Sequence, residues 1–238
     1  MTIEVVLFDL DDTLFAHSAA VEHGVTAHRS ALGLPGDDAA EFARWVALEE
    51  HHYHRYLGGE LGYQQMRRAR ARGFVETLSV DLSNDDDADA WFAGFVDHYR
   101  RGWRLYDDAL PVLDALPQRL GIITNAELAF QLGKTDAMGI TGRFEHVIAS
   151  GEVGFAKPDA RIFLAAAQAF GVDAAQAAYV GDRLHTDAIG AAEAGLVGIW
   201  IDRNAVATAD ELAVAASAGV HVIHSLAEVG PLVTVTRE

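Results

Sequence analysis

The stretch Val5-Val6-Leu7-Phe8-Asp9-Leu10-Asp11-Asp12-Thr13-Leu14 decides the fold. Four apolar residues run without alternation and stop at an aspartate. A strand buried on both faces reads this way, whereas a half-exposed strand alternates. The same form recurs down the chain. Gly121-Ile122-Ile123 stops at Thr124-Asn125, and His146-Val147-Ile148-Ala149 stops at Ser150. Ala178-Tyr179-Val180 stops at Gly181-Asp182, Val197 to Ile201 stops at Asp202, and Val220 to Ile223 is a weaker sixth run. Between them lie helical patterns at about 107–118, 127–139, 159–170, 186–195 and 208–217. Strand alternating with helix predicts right-handed crossovers and an α/β fold, a Rossmann-like doubly wound parallel sheet.

One interval breaks the alternation. From residue 16 to residue 105 no strand pattern occurs. Phe42, Trp45, Val46, Tyr53, Tyr56 and Leu57 fall at helical spacing there, as do Trp91, Phe92, Phe95, Val96 and Tyr99. The expectation is a core domain made of 1–15 and 106–238, with an all-helical second domain inserted over 16–105. Two linkers, near Phe15–Ser18 and Arg104–Asp108, then form a natural hinge.

Composition narrows the function. Of 238 residues, 50% are hydrophobic and 22% charged, which is ordinary for a globular chain. Lys plus Arg is 18 against 35 Asp plus Glu, a formal net charge of -17. Such a surface repels phosphodiester backbones and argues against nucleic acid as a partner. The absence of cysteine excludes disulfides, thiolate metal sites and a cysteine nucleophile. No run approaches the roughly 18 apolar residues of a membrane span, and the first residues lack the basic start of a signal peptide. The expectation is a cytoplasmic protein with no membrane partner, either monomer or homodimer. The aromatic residues of the insertion (Trp45, Tyr53, Tyr56, Trp91, Trp103) pack internally or form a dimer face.

In an open parallel sheet, ligands bind beyond the carboxyl ends of the strands. The polar residues there are Asp9, Asp11, Asp12 and Thr13; Thr124 and Asn125; Ser150, Gly151, Glu152 and Lys157; and Asp182 and Asp187. Crowded carboxylates stay ionised only with a cation among them. Oxygen ligands without cysteine point to a hard ion, Mg²⁺ above all. Lys157 adds a fixed positive charge, and Thr124 and Asn125 can hold phosphoryl oxygens. Such a constellation suits phosphoryl transfer.

Asp9-Leu10-Asp11-Asp12-Thr13-Leu14 after an apolar strand resembles the D-x-D-x-T motif of the haloacid dehalogenase (HAD) superfamily. Thr124 matches the second motif, Lys157 in Lys157-Pro158-Asp159 the third, and Gly181-Asp182 with Asp187 the fourth, all in family order. The helical insertion is similar to the C1 cap domain of the phosphatase-rich branch. The resemblance implies a Mg²⁺-dependent phosphatase acting on a small phosphorylated metabolite. It implies that Asp9 is the nucleophile and becomes an aspartyl phosphate. Asp11 would be the general acid and then the base, its backbone carbonyl a Mg²⁺ ligand. Asp182 would bind the metal directly, Asp187 through water, and Thr124 and Lys157 would hold the phosphoryl group. An alkoxide leaving group needs a proton and a halide does not, so Asp11 argues against the dehalogenase branch, which replaces that residue. A phosphomutase, and a non-catalytic binder of phosphorylated ligands, are the alternatives. A phospho-accepting receiver module fits neither the chain length nor Ser150 at the third strand end.

Other patterns have plainer readings. Glu49-Glu50-His51-His52-Tyr53-His54 suggests zinc, but it is not H-E-x-x-H and lacks a third ligand. Glu49 falls on an apolar stripe, either as a boundary residue with a partner or as a substrate contact. Arg67, Arg68, Arg70 and Arg72 form a basic island, read as a solvated helix face or as a contact for an anionic substrate. Asp85-Asp86-Asp87 after Ser83-Asn84 reads as a capped helix with an acidic first turn. Asp187 has a comparable plain reading, as a first-turn acid of its helix. Gly133-Lys134-Thr135 ends like a phosphate loop, but Leu128 stands where the first glycine belongs, which rules that reading out.

Overall fold

The computed structural model describes residues 2–78 and 80–234. Residues 1 and 235–238, part of the expected core domain, lie outside the described residues. The chain forms two compact units, Met1–Ala16 with Arg104–Glu238, and His17–Trp103.

The second unit is helical: α1 (His17–Ala31), α2 (Asp38–Leu57), α3 (Tyr63–Val75) and α4 (Asp85–Arg101). Side chains cap two of these helices. Asp37 accepts from the Ala40 amide and Asn84 from the Asp86 amide, each satisfying an otherwise orphaned donor. Trp45 is fully buried, with the rings of Phe74, Trp91, Phe92 and Phe95 at 4.3–5.9 Å. Trp45 and Trp91 therefore pack internally, whereas Tyr53, Tyr56 and Trp103 are half-buried. The basic island is partnered within the unit. Arg68 pairs with Asp85 and Asp89, and Arg72 pairs with Asp85. Arg70 lies buried over the Trp45 ring and bonds Glu49 at 3.1 Å. Glu49 thus has its partner, and the acidic first turn of α4 anchors α3.

The first unit is the parallel sheet. Its strands are β1 (Val5–Phe8), β2 (Arg119–Thr124), β3 (His146–Ala149), β4 (Ala177–Gly181), β5 (Val197–Ile201) and β6 (His221–Ile223). Their order is β3-β2-β1-β4-β5-β6, parallel throughout. All of β1 is buried, as its unbroken apolar run requires. The covering helices are α5 (Ala109–Ala115), α6 (Leu128–Ala137), α7 (Ser150–Val153), α8 (Ala160–Phe170), α9 (Gly190–Glu193), α10 (Ala209–Ser217) and α11 (Val229–Thr234). Helix α8 buries Ile162, Phe163, Ala166 and Phe170 against Val5, Leu7, Ile123 and Tyr179.

Two helices differ from the expected spans. The one expected at 107–118 ends at Ala115, because Leu116 precedes Pro117 and is forced into an extended conformation. The one expected at 186–195 is a π-helical turn, Leu184–Ile189, followed by the short α9.

The strand order places the reversal of winding beside β1. The chain moves from β1 to β2 and β3 on one side, then crosses to β4 on the other. Adjacent strands that diverge in this way leave a crevice at their carboxyl ends. The interruption of this unit is closed at its base. Ala16 N donates to Arg104 O at 3.0 Å, and Phe15 bridges Leu105.

Candidate active site

The crevice beyond β1 and β4 gathers the polar strand ends. Asp9 follows β1 and its amide donates to Val180 O at 2.8 Å, which ties the two strand ends together. Lys157 arrives from the loop before α8. Its main chain is held by Asn125, whose Oδ1 accepts from Lys157 N (2.7 Å) and whose Nδ2 donates to Lys157 O (2.9 Å). Both ends of that amide serve to set the lysine.

Lys157 Nζ donates to Asp9 Oδ1, Asp187 Oδ1 and the Tyr179 hydroxyl, each at 2.7 Å. Lys157 is 5% exposed, Asp9 7% and Asp187 1%, so the cluster is dry. Burial, with repulsion from Asp187 and Asp11, outweighs the attraction of Lys157 and pushes Asp9 up to about 7. Burial also opposes the charge on Lys157, but Asp187 and Asp9 outweigh it and hold the ammonium above the usual lysine value. Burial and the same two acids raise the Asp182 carboxyl and the Tyr179 phenol well above their ordinary values.

The π-helical turn explains Asp187. Its amide donates to Arg183 O, and its Oδ2 accepts from Arg183 N at 2.9 Å. The widened turn carries the carboxylate inward onto Lys157, so Asp187 is no mere first-turn acid; π turns recur at functional sites. Gly181 makes room for it. A Cβ there would lie 2.5 Å from Asp187 Cβ and Cγ. We therefore expect Gly181→Ala to displace Asp187, lowering the melting temperature by several degrees and costing most of the activity. Wild-type melting and turnover would refute this close-packing account.

Asp9, Asp182 and Asp187 each offer a carboxylate oxygen, all within 4.8 Å of one another. An all-oxygen set of acids that repel one another fits a hard divalent cation. No histidine-based group of that kind occurs among the described residues.

Asp11 stands apart from this triad. Its Oδ1 accepts from Lys134 Nζ at 2.6 Å and its Oδ2 from Gln131 Nε2 at 3.2 Å. Gln131 Nε2 also lies 3.0 Å from Thr124 Oγ1. The structure thus links Asp11 to Thr124 through α6. A further brace lies on the far side of the loop. Arg203 donates to Thr13 O (2.6 Å) and to both oxygens of Asp108 (3.1 Å), with its guanidinium 3.8 Å over the Tyr106 ring.

Sequence reading missed Tyr179, Gln131, Lys134 and Arg203. Tyr179 reads as one more apolar strand residue. Gln131, Lys134 and Thr135 share a face of α6 and are all buried. Their spacing of three and four residues puts them on one helix face, and only the fold shows that this face is the buried one.

Comparison with known proteins identifies the family. Residues 3–195 match the family model of the haloacid dehalogenase-like hydrolases. The glyceraldehyde 3-phosphate phosphatase of Methanopyrus kandleri is 31% identical over 210 residues, covering 84% of each chain. The ribulose-1,5-bisphosphate 5-phosphatase of Halopiger xanaduensis is 28% identical over 235 residues, covering 95% of this chain and 96% of its own. In structure, the magnesium-bound HAD-hydrolase YfnB of Bacillus subtilis superposes with a TM-score of 0.81 at 18% identity, covering 99% of this chain and 100% of its own.

Proposed function

The chain belongs to the haloacid dehalogenase-like hydrolases and is a phosphoric monoester hydrolase, and from that premise we propose a Mg²⁺-dependent phosphatase that works through an aspartyl phosphate on Asp9. The observation that carries the reading is Lys157 Nζ held between Asp9 and Asp187 at 2.7 Å, at the point where the sheet reverses its winding.

Asp9 and Asp182, with the main-chain carbonyl of Asp11, would hold Mg²⁺. Asp187 has both oxygens engaged, by Lys157 and the Arg183 amide, and acts through them. The ion supplies charge neutralisation for the phosphoryl oxygens and for the acids that bind it. The protein's own groups do the rest. Asp9 attacks phosphorus as the ester P–O bond breaks, and the departing alkoxide takes a proton from Asp11. Water then attacks the phosphoenzyme, giving its proton to Asp11, and the Asp9 carboxylate is released. Thr124 and Lys157 hold the phosphoryl oxygens, with Asn125 setting Lys157. The helical unit His17–Trp103 serves as the cap that selects the substrate. The substrate is a small phosphorylated metabolite of the cytoplasm, and the two relatives direct the first trials to sugar and triose phosphates.

The test is phosphate release from a panel of metabolite phosphates, in Mg²⁺ and in EDTA. Mg²⁺-dependent release from at least one ester is expected; no release from any compound overturns the reading. A second test follows from Asp9. Its carboxyl is raised from 3.8 to about 7, so across that window the folded protein binds a proton that the unfolded chain has lost. Stability without metal therefore falls as pH rises from about 4 to about 7, and the loss is complete above that. Mg²⁺ competes with this proton. Saturating Mg²⁺ should raise the melting temperature more at pH 8 than at pH 5. Equal shifts at the two pH values would remove the ion from Asp9.

A further inference from the structure

Of the 18 basic residues in the chain, only two are lysines, Lys134 and Lys157; every other one is arginine. Both lysines are buried, Lys134 at 1% exposure and Lys157 at 5%. Each donates to one acid of the first motif: Lys157 to Asp9 at 2.7 Å and Lys134 to Asp11 at 2.6 Å. A chain that carries arginine at all its other basic positions keeps the compact ammonium at these two. A guanidinium is a wide planar fork, whereas an ammonium is a point charge that fits a closed site.

We propose that Lys134, together with Gln131, is a positioning residue that fixes the Asp11 carboxyl for proton transfer. The inference rests on the phosphatase reading above, in which Asp11 exchanges a proton with the leaving group and then with water. Lys134 and Gln131 lie one turn apart on α6 and grip the two oxygens of Asp11 separately. Lys134 is itself fixed from the sides, its Nζ lying 4.8 Å from the Phe15 ring and 5.3 Å from the Phe130 ring. Gln131 extends the grip to Thr124 at 3.0 Å, so the proton-transferring group and a phosphoryl-holding hydroxyl share one support. Asp11 keeps its side chain 30% exposed while Lys134 is closed off at 2%. The carboxyl is therefore supported from behind and open in front. Removing Lys134 takes away the charge-assisted hydrogen bond that sets one oxygen of Asp11, and with it part of the geometric contribution to acid–base catalysis.

The test compares Lys134→Met, Asp11→Asn and the double variant on two substrates. One is the best alkyl ester from the phosphate-release panel; the other is p-nitrophenyl phosphate, whose leaving group needs no proton. With the alkyl ester, Lys134→Met should lose about 100-fold in kcat with KM changed less than about threefold, within the range of general acid–base contributions. The single-turnover rate of phosphoenzyme formation from p-nitrophenyl phosphate should change less than about fivefold. Adding Lys134→Met to Asp11→Asn should cost nothing further, because the lysine acts through that carboxyl. Equal losses on both substrates, or additive losses in the double variant, overturn the proposal and leave Lys134 a structural residue.

A measurement on folded protein with Lys134 intact guards against a variant that does not fold. With ¹⁵N-labelled lysine, only two side-chain ammonium resonances exist. Asp11→Asn should move one and Asp9→Asn the other. A Lys134 resonance unmoved by Asp11→Asn sinks the proposal even if no phosphatase substrate is found.

Discussion

Asp9→Asn should abolish turnover while leaving the fold at least as stable as wild type. The amide keeps the size of the side chain and cannot form a stable phosphoenzyme, so the loss in kcat is expected on the order of 10⁴ or more. Stability should move the other way. The Asp9 carboxyl, pushed up to about 7, ionises against the cost of burial and the repulsion of Asp187. At pH 8 in EDTA a neutral amide escapes that cost, and Lys157 retains Asp187 as its partner at 2.7 Å. The melting temperature of the variant should equal or exceed that of wild type. A dead enzyme that melts no earlier separates lost chemistry from lost structure. Residual turnover above about 1% of wild type would exclude Asp9 as the nucleophile.

Lys157→Met should produce the largest fall in stability. The ammonium is the shared partner of Asp9 and Asp187 and of the Tyr179 hydroxyl, in a site closed to water. Removing one side of a buried ion pair costs about 3–5 kcal/mol, because the other side stays buried and uncompensated. For a chain of this size that corresponds to a drop of roughly 10 °C at pH 8 in EDTA. The drop should shrink toward pH 5, where the raised carboxyls of Asp9 and Asp182 take up protons and need less compensation. Mg²⁺ should recover part of the loss at pH 8, and turnover should fall on the order of 10³ through lost stabilisation of the phosphoryl charge. A decrease in melting temperature that ignores both pH and Mg²⁺ would show that Lys157 packs the site without balancing its charge.

The triad was legible in the sequence because each member ends an apolar run or follows one closely. Asp9 and Lys157 lie 148 positions apart, yet the alternation of strands and helices brings both to one edge of the sheet. What stayed hidden has a common physical cause. Tyr179 sits inside an apolar strand, and only its hydroxyl, at the end of a long side chain, reaches the charged cluster. Lys134 looked like the tail of a failed phosphate loop, since one-dimensional spacing does not tell which face of α6 is buried. Asp187 itself was named from the sequence, but not the π-helical turn that aims it, because the regular 3.6-residue period assumed for 186–195 has no room for one. The Asn125 amide is engaged by the main chain of Lys157, a pairing that only the folded loop makes visible.

The hydrogen bond from Ala16 to Arg104 has an evolutionary consequence. Seen from the sheet, residues 17–103 are one long excursion that leaves and returns at a single point. Closing a loop costs entropy that grows only with the logarithm of its length, about 0.6 kcal/mol for each doubling. The scaffold is therefore almost indifferent to how much chain hangs from that doorway. An inserted module can be lengthened, shortened or exchanged wholesale, while the register of β1 against β2 and β4 stays as it is. Lineages sharing this arrangement can diversify by trading modules at a fixed socket, and a designer can graft at the same pair of residues.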